Sequence, residues 1–165
     1  MTALFLMTVM GPDRPGMLNQ LAALTHQHQG KWLNSRMINL EGQFAAIIKV
    51  EVPKSQQQQL QEALMETPRM HLQIHDCHPE WSAPDRTLAL QIDAKDQPGL
   101  INDITSALTS HGINVEQMEC HRVASAEGGT LFTAELALSV PAELDPDLVV
   151  MELEGLHSHL MVQRL

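Results

Sequence analysis

The sequence has no tyrosine, and aromatic residues fill only 3% of its 165 positions. Its core must therefore be built from Leu, Ile, Val, Ala and ten Met, not from stacked rings. Cysteine is almost as scarce. Cys77 and Cys120 stand alone, too few for a disulfide framework, and point to the reduced cytoplasm. Basic residues number 10 against 20 acidic ones, a net charge of −10. Holding a nucleic-acid backbone needs a positive field, so direct nucleic-acid binding is not expected; nine His alter the balance only at low pH. No apolar run has the length of a membrane span. The run Leu4–Met10 lacks a basic flank and is stopped by Pro12 and Asp13, so it reads as a first strand and not as a signal peptide.

The usual signatures of catalysis are missing too. There is no Gly-x-Ser-x-Gly, no Walker loop and no dinucleotide fingerprint. Cys120 and His121 are neighbours on a strand, so their side chains point to opposite faces and make a poor nucleophile–base pair. His26 and His28 lie two apart on a helix and diverge. His71 and His75 share a strand face, and His157 and His159 could share another, without the paired spacing of a zinc site. The expectation is a non-enzymatic protein with no metal and no cofactor.

What is present is a repeat. Gly16 and Gly99 lie 83 residues apart inside two matching stretches, "DRPGML" and "DQPGLI". Before each is a strand-like run; Leu88, Leu90, Ile92 and Ala94 alternate on one face. After each is a helical pattern, with Met17, Leu18, Leu21 and Leu24 in one copy and Leu100, Ile101, Ile104 and Leu108 in the other. Gly30 and Gly112 suit the ends of these helices. A second strand follows, roughly Leu33 to Leu40 and Ile113 to Val123, then a turn. The third strands alternate clearly: Phe44, Ala46, Ile48, Val50 and Val52, then Phe132, Ala134, Leu136, Leu138 and Val140. Pro53 and Pro141 end them. A second helix follows in each copy, from Ser55 to Glu66 and from Asp145-Pro146, a cap and first-turn pair, to Gly155. Short strands close the copies, at His71–Cys77 and Ser158–Leu165. The fold class is α+β: two βαββαβ ferredoxin-like domains, 1–77 and 88–165, joined by a proline-containing linker at 78–87. Each has an antiparallel sheet with its helices on one face. The other face must be polar or covered, by the sister domain or by a homodimer.

The repeated turn admits two readings. Asp13 and Asp96 can accept from the amides of the first helical turn, and Pro15 and Pro98 fit the first helical position, which makes the turn a cap and nothing more. Alternatively, the open amides and helix dipole attract a carboxylate while the aspartate meets an ammonium, which suits an α-amino acid. Arg14, replaced by Gln97 in the second copy, is the one basic side chain placed to pair with such a carboxylate.

"DRPGML" with "GKWLNSR", and "DQPGLI" with "GINVEQ", resemble tandem ACT domains, a likeness that spans about Leu4–Cys77 and Leu88–Leu165. The resemblance implies a regulatory protein that senses an amino acid such as glycine or serine and acts through a protein partner, a DNA-binding regulator, without reading DNA itself. It places ligand positions at Asp13, Gly16, Met17 and Leu18, and at Asp96, Gly99, Leu100 and Ile101. It adds Asn114 at the start of the second strand, with Asn34 as a displaced counterpart because Trp32 stands near the expected place. Trp32 is then free to fill or lid one pocket, and the two sites are not equivalent. The alternative is a protein-interaction module that binds no small molecule. RNA-recognition modules share the topology, but they stack bases on sheet aromatics in a basic setting, which this acidic chain does not offer.

Overall fold

The computed structural model describes residues 1–78 and 86–165. The chain splits into two compact units, residues 1–81 and 82–165. The linker expected at 78–87 falls mainly on residues 79–85, outside the described residues.

The first unit runs β1 (Thr2–Pro12), α1 (Met17–Gln27), β2 (Lys31–Leu40), β3 (Gln43–Pro53), α2 (Lys54–Met65) and β4 (His71–Asp76). Its strands form one antiparallel sheet in the order β2-β3-β1-β4. Alternation decides which side chains go inward. Phe5, Met7 and Val9 of β1 and Phe44, Ala46, Ile48, Val50 and Val52 of β3 are buried beneath Leu21 of α1 and Leu60 and Leu64 of α2. Removing this apolar surface from water is the main favourable term in the fold.

The second unit repeats the plan with β5 (Arg86–Lys95), α3 (Leu100–Ser110), β6 (Asn114–Ala124), β7 (Thr130–Val140), α4 (Pro146–Glu154) and β8 (Met161–Arg164), in the sheet order β6-β7-β5-β8. Phe132, Leu136 and Leu138 of β7 pack with Leu90 and Ile92 of β5 under Leu100, Ile104 and Leu108 of α3 and Leu153 of α4. The βαββαβ α+β fold therefore occurs twice.

Several local details differ from expectation. The last strand begins at Met161, so His157 and His159 precede it and do not share a strand face. Gly30 is not the left-handed residue after α1. That position is Gln29, at φ 59°, and its counterpart after α3 is Gly112, at φ 68°. Gly30 is small for another reason: a Cβ there would stand 3.0 Å from Thr25 Cγ2 and 3.2 Å from the Glu51 carbonyl. One edge strand of each sheet also carries a register shift, between Trp32 and Asn34 in β2 and between Val115 and Gln117 in β6. Bulges of this kind twist an exposed edge and discourage pairing along it. At α4 the expected cap is present: Asp145 accepts from the Asp147 amide at 3.0 Å, with Pro146 in the first turn.

Candidate functional site

The Pro-Gly stretch is a tight turn set before the helix, not its first turn. Gly16 has φ 90° and ψ −13°, and Gly99 has φ 88° and ψ 0°. These are the angles of the second central residue of a type II turn, where only glycine is free of strain, with proline just ahead of it. Met17 N–H donates to the Arg14 carbonyl at 3.3 Å and closes the first turn. The helix starts after it: Gln20 N–H reaches the Gly16 carbonyl at 2.9 Å, and Asp103 N–H reaches the Gly99 carbonyl at 2.9 Å. Gly16 and Gly99 hold the cap positions, so Pro15 and Pro98 precede the helices.

This corrects the capping role expected of Asp13 and Asp96. No side chain caps α1 or α3. Both aspartates turn toward the hairpin between the second and third strands. Asp13 N–H donates to the Gly42 carbonyl at 2.8 Å, and its carboxylate accepts from the Asn39 side chain. Asp96 N–H donates to the Thr130 carbonyl at 2.9 Å, and its carboxylate accepts from Arg122 Nε at 3.1 Å. Asn39 lies opposite Phe44, and Arg122 lies opposite Phe132, with its guanidinium 5.2 Å from that ring's centre. The two repeats thus share one geometry and differ in one donor, a neutral amide against a cation stacked on an aromatic face.

In the first repeat, Asp13, Arg14, Gly16, Met17 and Leu18 line one cleft of about 350 Å³, walled by Met37 and Phe44. The cleft has the volume of a small-ligand site. Among the described residues Arg14 has no hydrogen-bonding or ionic partner. The first turn of α1 contains no acid, so nothing there opposes an anion at its open amides.

The second repeat is different. Asp96 and Gln97 line a smaller depression of about 250 Å³, beside His157 and His159, which Gly99, Leu100, Ile101 and Asn114 do not reach. The Leu100 side chain is in the core. Asp103 adds a carboxylate at the start of α3 and pairs with His157 at 3.0 Å, which works against a second anion.

The structure does not bring Asn34 or Asn114 to the turns. Asn34 lies opposite Lys49, five residues along β2 from Asn39. Asn114 lies opposite Ser139 and donates to Glu116 at 2.7 Å. The residues that do reach the turns, Asn39 and Arg122, have a signal in the sequence only once the hairpin register is known. Trp32 neither fills nor lids this cleft. It packs against the core, and its indole N–H donates to Thr25 Oγ1 at 3.1 Å.

Among the described residues no three His, Cys, Asp or Glu side chains converge as a metal-ligand set. No described helix is long and apolar enough to cross a membrane.

Residues 3–77 match one model of the ACT domain and residues 89–157 match another. The chain belongs to the ACT-domain family and carries two such domains in tandem. Two solved structures are similar along the full chain. One, an unknown protein from Galdieria sulphuraria, is 24% identical with a TM-score of 0.82, over 100% of this chain and 99% of that one. The other is a provisionally assigned glycine cleavage system transcriptional repressor, 15% identical with a TM-score of 0.71, over 100% of this chain and 98% of that one. At these identities the likeness is one of fold. No curated protein sequence gives a match.

Proposed function

We propose that this chain is a non-enzymatic regulatory protein of the cytoplasm that binds a small α-amino acid, such as glycine or serine, in the cleft of its first repeat. It reports occupancy to a protein partner, a DNA-binding regulator. One observation carries the reading. In a cleft of about 350 Å³, Arg14, which has no ionic partner among the described residues, and the open amides of α1 stand with a carboxylate, Asp13. An α-amino acid has the complementary charges: its carboxylate meets Arg14 and the amide of Leu18, and its ammonium meets Asp13. Met37 and Phe44 leave room for a small apolar side chain. The full-length fold likeness to a provisionally assigned glycine cleavage system transcriptional repressor supports the choice of glycine and of a transcriptional role.

The second repeat is a structural partner in this reading. Asp96 is occupied by Arg122, and Asp103 repels a carboxylate. The same pairing favours the other reading, an interaction module that binds no small molecule, because both turn aspartates already have donors within the chain. Replacing Gly16 with a bulky residue separates the two. A sensor loses its response to amino acid while partner binding survives; an interaction module has no response to lose.

A further inference from the structure

The two sheets are built alike, but their open faces are not. Registers around Phe44 and Phe132 match the places one by one. On the first sheet Arg36, Ile47 and Thr8 form one row across three strands, and Ile38, Ala45 and Met10 form the next. The same places on the second sheet hold Glu119, Glu135 and Gln91, then His121, Thr133 and Asp93. There Gln91 donates to Asp93 at 2.9 Å and Thr133 donates to it as well. Those two rows are polar, as an antiparallel sheet tolerates on its open side, and the exposed apolar Val123, Leu131 and Met161 of that face lie beside them.

The first sheet shows that face as apolar. Ile38 is 67% exposed, Ile47 55% and Met10 51%. Ala45, small among larger neighbours, leaves a groove of about 480 Å³ between them. Arg36 stands at one end and His71 at the other, and no acidic side chain lines it. Arg36 has no ionic partner among the described residues. The fold does not require this arrangement, since the second sheet holds the same backbone without it. A contiguous apolar patch with a cationic rim, on a chain of net charge −10, marks an interaction site.

We propose that the open face of the first sheet docks a protein partner that presents apolar side chains flanked by carboxylates. The apolar residues seat over Ala45 between Ile38, Ile47 and Met10, and a carboxylate takes Arg36 in a two-pronged hydrogen bond. A second copy of this chain is a poor occupant. Its own equivalent face would set Arg36 and His71 against like groups, with no acid among the groove residues to meet them. The proposal rests on the regulatory reading for the existence of a partner but not on the amino-acid site, which lies at the Asp13 turn. Loss of amino-acid binding and loss of docking are therefore separate results.

The test is a graft. Met10→Asp, Arg36→Glu and Ile47→Glu together give the first sheet the residues its sister sheet already carries, so folding is expected to survive and is checked by circular dichroism and melting. Arg36→Gln is the milder variant. The probe is the protein that the wild-type chain retains from its native cells, identified and then purified, and its affinity is measured by calorimetry at low and high salt. The expected result is binding at least tenfold weaker to the folded graft, several-fold weaker to Arg36→Gln, and weakened by salt for the wild type. Equal binding by the graft, binding indifferent to salt, or failure to retain any protein overturns the proposal. So does a wild-type dimer in sedimentation that the graft converts to monomer, because the occupant is then a second copy.

Discussion

Asn39 and Arg122 stand at the same place in the two repeats, each opposite a phenylalanine near the start of the third strand and each donating to the aspartate of its Pro-Gly turn. The neutral donor leaves the Asp13 carboxylate without an ion pair among the described residues. The cationic donor forms an ion pair with Asp96. Duplication has kept the geometry of the turn and changed its electrostatics.

Asn39→Arg therefore carries the closed arrangement into the first repeat. Its guanidinium takes Asp13, as Arg122 takes Asp96, and competes with a ligand ammonium. Amino-acid affinity is expected to fall at least tenfold with the melting temperature little changed. Arg122→Asn is the matched control and is expected to leave the affinity of the first cleft as it was. Calorimetry on both variants makes the comparison.

Asp13→Asn keeps the shape of the turn and removes its charge. A hydrogen bond to a charged group contributes about 1.5 to 3 kcal/mol, so affinity is expected to drop about tenfold or more, since about 1.4 kcal/mol is one factor of ten. Asp96→Asn is expected to leave ligand affinity unchanged. Titration of the two variants side by side checks the asymmetry.

Gly16→Ala and Gly99→Ala test the type II turn itself. At Gly16 an added Cβ meets nothing within 4 Å, and at Gly99 its nearest neighbour is the end of the Asp103 side chain at 3.9 Å. The cost is then one of backbone angle alone, about 1 to 2 kcal/mol each. Urea denaturation of the variants gives this number. A loss near zero would show that the turn does not need φ near +90°.

Thr25→Val addresses a buried polar contact. Thr25 Oγ1 accepts from the Trp32 indole and donates to the Leu21 carbonyl at 2.9 Å, and the residue is 2% exposed. Valine keeps the volume and leaves the indole N–H without a partner, at a cost of about 1 to 3 kcal/mol. Denaturation together with a shift in Trp32 fluorescence is the expected signature.

The fold was legible where one face of an element is buried. The alternation of Phe132, Ala134, Leu136, Leu138 and Val140 follows from β7 packing its inner side on α3 and α4, and burial imposes that pattern on the sequence. The cap at Asp145 was legible because it depends on neighbours two residues apart. The turn aspartates were not. Asp-x-Pro-Gly fits a capping sequence and a type II turn equally well, and the choice is made by the distant hairpin carbonyls of Gly42 and Thr130. Asn39 and Arg122 were missed for a related reason. Their contact with the turn depends on the hairpin register and on the pairing of the third strand with the first, long-range relations with no local mark in the sequence. Asn34 and Asn114, the second-strand positions that the ACT resemblance implies, stand at the far end of the same strands.

The account is tested most directly by titrating the folded wild-type chain with glycine, serine and larger amino acids in a calorimeter, with Asn39→Arg alongside. It predicts saturable binding of a small amino acid at one site per chain, abolished or strongly weakened in Asn39→Arg. Binding of none of them by folded protein, or binding that Asn39→Arg leaves intact, would contradict it.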